Sequence, residues 1–236
     1  NPGTALGLFM AQQALAGRDK LTILLPPSLA RLGLWIEQLV AESTGKLGRG
    51  VLPIVDEPEA AVLAEYGRDR AFVLVTSPGD AHAPARRAAL AAAGHPVFHY
   101  ESDAGALGAE FFRWEFATAI AGIALDVNPF DEPNVRDAKA RTQALLDAGG
   151  GLRVDPPYVD RHGVLGRTHR PDHTAAPTGP FVAILDYLPQ DDRRAATVAR
   201  VRAALRARTG AATTYGEGPR YLHSTGQFHK GGTNSG

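Results

Sequence analysis

Short apolar runs alternate with helical stretches along this chain, and that alternation restricts its fold more than any other feature. Runs rich in β-branched and aromatic residues, typical of buried strands, cover residues 21–25, 71–76, 96–100 and 181–188. The stretches between them with helical periodicity include residues 28–42, 83–93 and 104–124. Strands separated by helices pair in parallel, so the sequence predicts an α/β fold with a doubly wound, mostly parallel sheet. Ligands of such sheets bind at the carboxyl ends of the strands.

The domain organisation follows from length and composition. A chain of 236 residues can bury a full core in one domain, with two small lobes as the alternative. We expect residues 1–147 to form an α/β domain. Residues 148–179 are rich in Gly, Pro, His and Asp without a period and predict an irregular loop or insertion. Residues 180–236 predict a strand-helix-strand segment that completes the same domain, and its Arg-rich helix at 191–208 is expected to present a solvated charged face.

Composition excludes several classes of function. Acidic and basic residues number 25 each, which argues against nucleic acid or an anionic membrane as the main partner. The chain has no cysteine, so it has neither disulfides nor a thiol nucleophile. His169 and His173 lie among Arg and Pro without a matching carboxylate, so we expect no metal site. No apolar run approaches the ~20 residues that span a bilayer, and a cytoplasmic location is expected.

Residues 35–46 place a carboxylate beside an apolar helix face. The apolar side chains of this stretch form one stripe, from which Glu37 points away. Glu42 lies on the flank of the stripe, and Gln38 lies one turn earlier on the same flank. Because Gly45 ends the helix, the carbonyl ends and partial burial should raise the basicity of Glu42. The pattern fits a general base for a carbon acid, and it fits a half-exposed surface glutamate equally well.

Residues 130–139 predict the start of a second helix with a lysine on it. Asp131 has the position of an N-cap, and Pro133 falls in the first turn. Lys139 lies inside an apolar stripe that continues to Leu146. Its ammonium group is available for catalysis, but the spacing is also explained by a lysine stem that packs on apolar surface with its charge in water.

Six stretches carry a resemblance when they are taken together: residues 1–3, 17–22, 35–46, 107–119, 130–139 and 218–232. They resemble the glucose-6-phosphate isomerase family, in particular the isomerase part of bacterial bifunctional transaldolase/glucose-6-phosphate isomerase proteins. The resemblance implies a sugar isomerase (SIS) type domain.

The resemblance also implies roles for four residues in the stretches 35–46 and 130–139. Glu42 matches the base that moves a proton between C2 and C1 of the open-chain sugar. Gln38 matches a residue that helps to bind the substrate phosphate, and Lys139 matches an active-site lysine linked to ring opening. Glu132 stands where the corresponding family motif has a glutamine, and its charge would repel a phosphate if it faced one.

The histidine of the family that opens the sugar ring follows a Thr-Asn-Gly-Gln sequence. The similar stretch here contains Ser224, Thr225 and Gln227, which the resemblance implies as substrate-binding residues. Phenylalanine follows it, and His229 comes one place later, while His223 directly precedes it. Both histidines are therefore candidates for the ring-opening residue.

The function implied by the resemblance is aldose-ketose isomerisation of glucose 6-phosphate and fructose 6-phosphate through a cis-enediol, without a metal or organic cofactor. The family's Gly-Gly-Arg segment and phosphate loop belong to an earlier domain, so we expect upstream sugar isomerase and transaldolase domains on a longer polypeptide that forms a homo-oligomer. One alternative is a non-catalytic module that binds a sugar phosphate. The other is an interaction domain that completes the active site of a partner chain.

Overall fold

A computed structural model describes residues 1–131, 133–148, 179–189 and 191–233. Apart from residues 148 and 179, the segment predicted as an irregular insertion lies outside these ranges, as do Glu132, His169 and His173. The helices and strands of the described ranges are, in chain order, α1 (Pro2–Leu15), β1 (Lys20–Leu24), α2 (Leu32–Thr44), β2 (Leu52–Ile54), β3 (Arg70–Thr76), α3 (Ala83–Ala92), β4 (Val97–Glu101), α4 (Leu107–Leu125), α5 (Pro133–Asp147), β5 (Phe181–Asp186), α6 (Asp192–Thr209), β6 (Ala212–Glu217) and α7 (Gly226–Gly231).

Four strands form a parallel sheet in the order β2-β1-β3-β4. Lys20 at the start of β1 is in register with Leu52 of β2 on one side and with Arg70 of β3 on the other. Every residue of β3 is buried, as expected for a central strand with both faces covered. The predicted α/β architecture with a parallel sheet is therefore confirmed.

Alternate residues of β3 face two separate cores, because successive side chains of a strand point to opposite faces. Val73 faces the larger core, where Ile36 of α2 and Trp114 of α4 are buried. Phe72 faces the other side and packs near Leu90 of α3. Helices therefore cover both faces of the sheet, with α1, α2 and α4 on one face and α3 on the other.

Helix α1 packs closely on α4 through small residues. A Cβ atom at Gly7 would lie 2.8 Å from Cβ of Ile120, and one at Gly3 would lie 2.9 Å from the carbonyl oxygen of Arg113. The 14 residues of α1 include no charged side chain. The helix is thus part of the main core, with Leu6 buried at its centre.

The C-terminal strands form a second, two-stranded sheet. β5 and β6 pair in parallel and α6 connects them. Phe181 of β5, Ala212 of β6 and Phe228 of α7 are buried against Leu52 and Ile54 of β2. This segment therefore packs beside the edge strand of the four-stranded sheet through side chains, without a hydrogen-bonded ladder to it.

Two arginines of α6 are buried, so the expectation of a solvated charged face was wrong for them. Arg202 donates to the backbone oxygen atoms of Val55 at 3.0 Å and Thr213 at 2.7 Å. Arg206 donates to the backbone oxygen of Pro58. The helix packs against the loop that follows β2, whose carbonyl groups need donors, and guanidinium groups supply charge-assisted hydrogen bonds there.

Glu57 completes this buried polar contact. Its carboxylate accepts a hydrogen bond from the backbone nitrogen of Thr213 at 2.8 Å and forms an ion pair with Arg70 at 2.9 Å. Arg206 lies 3.7 Å from the same carboxylate. The two sheets are therefore joined by a desolvated charge network as well as by apolar packing.

Candidate functional site

The end of α2 positions the carboxylate that the sequence singles out. The helix ends at Thr44, and the backbone nitrogen of Gly45 donates to the oxygen of Ala41 at 3.0 Å. Glu42 is half-buried in this last turn. Nε2 of Gln38 donates to Oε2 of Glu42 at 3.4 Å, so the amide and the carboxylate lie on one face, one turn apart.

This position is at the opposite edge of the sheet from the one that sequence reasoning indicates. Helix α2 connects β1 to β2, which is parallel to it, so the last turn of the helix lies near the amino ends of the strands. Glu42 therefore does not lie at the carboxyl ends, where parallel sheets usually bind ligands. The general expectation of a ligand site at the carboxyl ends therefore does not apply to the position of Glu42.

Glu37 is buried, although the helical wheel indicates that it points away from the apolar stripe. Its Oε1 accepts a hydrogen bond from Arg220 at 3.3 Å. Burial raises the pKa of Glu37 above its ordinary value, while Arg220 and Ser224 act in the opposite direction. The C-terminal segment covers the polar face of α2, which an amphipathic helix on a protein surface would expose to solvent.

Lys46 is buried and connects the loop after α2 to the chain before α5. Its Nζ donates to the backbone oxygen of Asn128 at 2.6 Å and to that of Asp131, and lies 3.1 Å from the carboxylate of Asp131. The helix α5 begins at Pro133, so the residue directly before it is Glu132, which lies outside the described residues. The carboxylate of Asp131, predicted as the N-cap, is thus engaged by a lysine.

Lys139 is exposed on α5. The apolar residues predicted to form a buried stripe with it are also in solvent, since Leu145 is 56% and Leu146 65% exposed. Nothing in the described part of the chain covers this face of α5. The ammonium group of Lys139 is therefore accessible to a ligand from solvent.

The two candidate histidines lie in or next to α7. Both His223 and His229 are accessible to solvent. The ring of His229 lies 5.9 Å from that of Phe181, and desolvation by the surrounding protein lowers the pKa of His229 below its ordinary value of 6.5. The neutral imidazole, which can both accept and donate a proton, is therefore favoured at neutral pH.

Ser224, Thr225 and Gln227, the candidate substrate-binding residues next to these histidines, are all buried. The hydroxyl of Ser224 donates to the backbone oxygen of Tyr221 at 3.4 Å, and Thr225 lies at the start of α7. Nε2 of Gln227 donates to the backbone oxygen of Gly45 at 3.0 Å and to Oδ1 of Asn134 at 2.8 Å. Through these bonds α7 contacts both the end of α2 and the start of α5.

Helix α7 packs against both α2 and α5. The base candidate on α2, the lysine on α5 and a histidine on α7 belong to adjoining elements. A carboxylate, an ammonium group and a neutral imidazole are suited to proton transfer at a carbon next to a carbonyl group.

Sequence reasoning missed the structural partners of this site. Glu37 and Arg220 are separated by 183 positions, so no local periodicity indicates that they form a pair. The sequence indicated Lys46 only weakly, as the last residue of the stretch 35–46 that contains Glu42. A basic residue directly after a helix-ending glycine, in a loop with further glycines, is a candidate for contacts to backbone oxygen atoms.

A further stretch with polar residues, 107–119, is occupied by a buried network. Glu110 accepts hydrogen bonds from Tyr100 and Ser102, each at 2.8 Å, and pairs with Arg113 at 3.3 Å. Burial and the adjacent Glu110 raise the pKa of Tyr100. The network joins the end of β4 to α4 and is explained by folding alone.

Within the described ranges, no three His, Asp or Glu side chains form a cluster that could hold a metal ion. None of the helices in the same ranges is both long and apolar enough to cross a bilayer.

Comparison with known proteins shows that the chain is similar to a glucose-6-phosphate isomerase. The relative is from Heliobacterium modesticaldum and is 26% identical over 162 residues, which cover 52% of this chain and 36% of the relative. The chain thus spans about a third of the length of the curated relative that it matches. No protein-family model matches the chain.

Proposed function

We propose that this chain carries the proton-transfer part of a sugar-phosphate isomerase that interconverts glucose 6-phosphate and fructose 6-phosphate. The observation that carries the proposal is the half-buried Glu42 in the last turn of α2, with the amide of Gln38 on the same face. The similarity to a glucose-6-phosphate isomerase over half of the chain supports it.

In the proposed reaction the ring opens first, with His229 or His223 as the proton donor and acceptor and with help from Lys139. Glu42 then removes the proton from C2 or C1 of the open-chain sugar and returns it to the neighbouring carbon. The carbonyl group already acidifies that C–H bond, and the ammonium group of Lys139 stabilises the oxyanion that develops in the enediol. The reaction needs neither a metal ion nor an organic cofactor.

Substrate binding is assigned to polar groups around this centre. We place Gln38 near the substrate phosphate, and Ser224, Thr225 and Glu132 at the edge of the site. Because Ser224 and Thr225 are buried, we expect them to act on the substrate through the backbone groups and side chains next to them. Gln227 is buried and its amide donates to Gly45 and Asn134, so we assign it a supporting role and not a direct substrate contact.

We further propose that residues 1–147 and 180–236 form one SIS-type domain, with residues 148–179 as an insertion. In this proposal the domain belongs to a longer, homo-oligomeric transaldolase/isomerase polypeptide. The match to about a third of the relative's length is consistent with a domain of a larger enzyme.

The direct test is the Glu42→Gln variant, which keeps the shape of the side chain and removes its basicity. Loss of a general base lowers turnover by about 10²–10⁴-fold, so we expect at least that loss of fructose 6-phosphate isomerisation in a coupled dehydrogenase assay. Glu115→Gln, an exposed glutamate on α4, serves as the control. A folded Glu42→Gln variant with full activity would rule out the assignment.

The exposed Lys139 and the partial match to the relative also favour a second candidate, in which the chain binds a sugar phosphate without turning it over. Fructose 6-phosphate would then raise the melting temperature of the wild-type chain in the absence of any turnover. An active mixture of this chain with an inactive partner chain would instead identify an interaction half of the enzyme.

A further inference from the structure

Three segments meet at a buried contact that we name the α2–α5 junction. Its residues are Gly45 and Lys46 after α2, Asp131 and Asn134 around the start of α5, and Gln227 on α7. We propose that Lys46 and Gln227 are positioning residues that hold α5, and with it Lys139, in a defined place relative to Glu42. The inference rests on the proposed function for the roles of Glu42 and Lys139, whereas the geometry of the junction does not depend on it.

Lys46 fixes the backbone of the segment before α5. An ammonium group has three N–H donors, and the described residues offer it three acceptors: the backbone oxygen atoms of Asn128 and Asp131 and the carboxylate of Asp131. The lysine side chain is only 2% exposed, so little water competes for its ammonium group, while the carboxylate side chain of Asp131 is 37% exposed. Because two of the acceptors belong to the backbone, the lysine restrains the path of the chain itself.

Gln227 fixes the start of α5 in a second way. Its two partners, the carbonyl oxygen of Gly45 and Oδ1 of Asn134, are both acceptors, so only a group with two N–H donors satisfies them together. The surrounding contacts are tight: a Cβ atom at Gly45 would lie 2.5 Å from Cα of Phe228, and one at Gly231 would lie 2.7 Å from Cγ of Asn134. This packing leaves little room for either helix end to shift.

The distances along the helices explain why this junction affects the proposed chemistry. Glu42 lies three residues before Gly45, about 4.5 Å along the axis of α2, and Lys139 lies six residues after Pro133, about 9 Å along α5. A tilt of α5 by about 10° at the junction therefore displaces Lys139 by roughly 1.6 Å. A displacement of about 1 Å of a catalytic group lowers a rate by about 10²-fold.

The absence of cysteine from the chain makes this tilt measurable. Spin labels on Leu34→Cys in α2 and Ala144→Cys in α5, both exposed positions, report the distance between the helices by double electron–electron resonance. Ala144 lies about 16 Å along α5 from Pro133, so a tilt of about 10° changes this distance by up to about 3 Å. We expect Lys46→Met and Gln227→Met to shift or broaden the distance distribution by that amount.

Two further variants complete the design. Asn134→Ala removes one acceptor of Gln227 from the half-buried start of α5, so it tests the junction with a smaller risk of misfolding. Arg49→Met is the matched control, because Arg49 belongs to the same loop as Lys46 but donates to the backbone oxygen of Leu125 at the end of α4. Circular dichroism of each variant verifies that the core is folded.

The activity readout separates positioning from simple destabilisation. For folded junction variants we expect kcat of fructose 6-phosphate isomerisation to fall by about 10²-fold, with KM changed by less than about threefold. An unchanged label distance in all three junction variants, or an equal shift in Arg49→Met, would overturn the positioning role. If the junction variants shift the label distance and the wild-type chain shows no turnover, the proposed function is refuted, while the positioning of α5 by the junction is supported.

Discussion

Substitution of Glu57 by glutamine tests the buried charge network between the two sheets. Oε2 of Glu57 lies 2.9 Å from Arg70 and 3.7 Å from Arg206, and the side chains of all three residues are at most 2% exposed. Glutamine has the same shape, but its NH₂ group would either face the guanidinium groups or face the two donors of Thr213. In each orientation donors meet donors, and Arg70 loses its counter-ion, whereas Arg206 keeps its ion pair with Glu65 at 3.3 Å.

The expected magnitude follows from the burial of the pair. Removal of one partner from a buried ion pair costs about 3–5 kcal/mol, because the remaining charge stays desolvated. For a protein of this size each kcal/mol corresponds to about 2–4 °C, so the melting temperature should fall by roughly 6–20 °C.

Glu59→Gln provides a matched control two positions away. Its carboxylate pairs with Arg86, but the side chain is 60% exposed, and a surface pair of this kind contributes about 0–1 kcal/mol. Urea unfolding at pH 7, followed by far-ultraviolet circular dichroism, compares the two variants with the wild type. Equal unfolding midpoints for Glu57→Gln and Glu59→Gln would refute the reasoning that desolvation makes the Glu57 network important for stability.

Two further predictions concern the pH dependence of stability and the packing of α1. Burial lowers the pKa of His95 below its ordinary value of 6.5, so the unfolded chain takes up the proton first and the wild type loses stability as the pH falls from 6.5 through the lowered pKa. His95→Phe should remove this loss, and parallel pH profiles of the urea midpoint between pH 7 and 5 would contradict it. Gly7→Ala should destabilise the protein by about 1–3 kcal/mol, because the new methyl group meets Ile120. Gly108→Ala, whose Cβ has no described atom within 4 Å, should instead stabilise α4 by about 0.4–1 kcal/mol; thermal unfolding of both variants measures the contrast, and a stabilised Gly7→Ala would contradict the packing.

The accuracy of the sequence-based elements follows from their length and composition. The predicted strand at 71–76 and helix at 83–93 agree with β3 and α3 to within one residue at each end. β2 was missed because three residues are too few to show a period. β6 is the second strand of the predicted strand-helix-strand segment, but its Thr-rich sequence lacks the apolar run that would indicate where the strand begins and ends.

The candidate site shows the same division between local and distant information. The one-turn spacing of Gln38 and Glu42 and the helix end at Gly45 are local properties, and the structure has both. The location of this turn at the amino ends of the strands required the pairing of β1 with β2. The contacts of Gln227 with Gly45 and Asn134 likewise depend on segments that are distant in the chain.

The sequence by itself determined the α/β class, the parallel pairing and the end of α2, because periodicity and helix-ending residues act over a few positions. Only the tertiary structure decided which charged residues are buried. Glu37 meets Arg220 across 183 positions and Arg202 meets Val55 across 147, and a helical wheel counts all such side chains as solvent-facing. A charged side chain can be buried when folding brings a partner that replaces its hydration. Such a partner is often distant in the sequence, so local patterns do not indicate it.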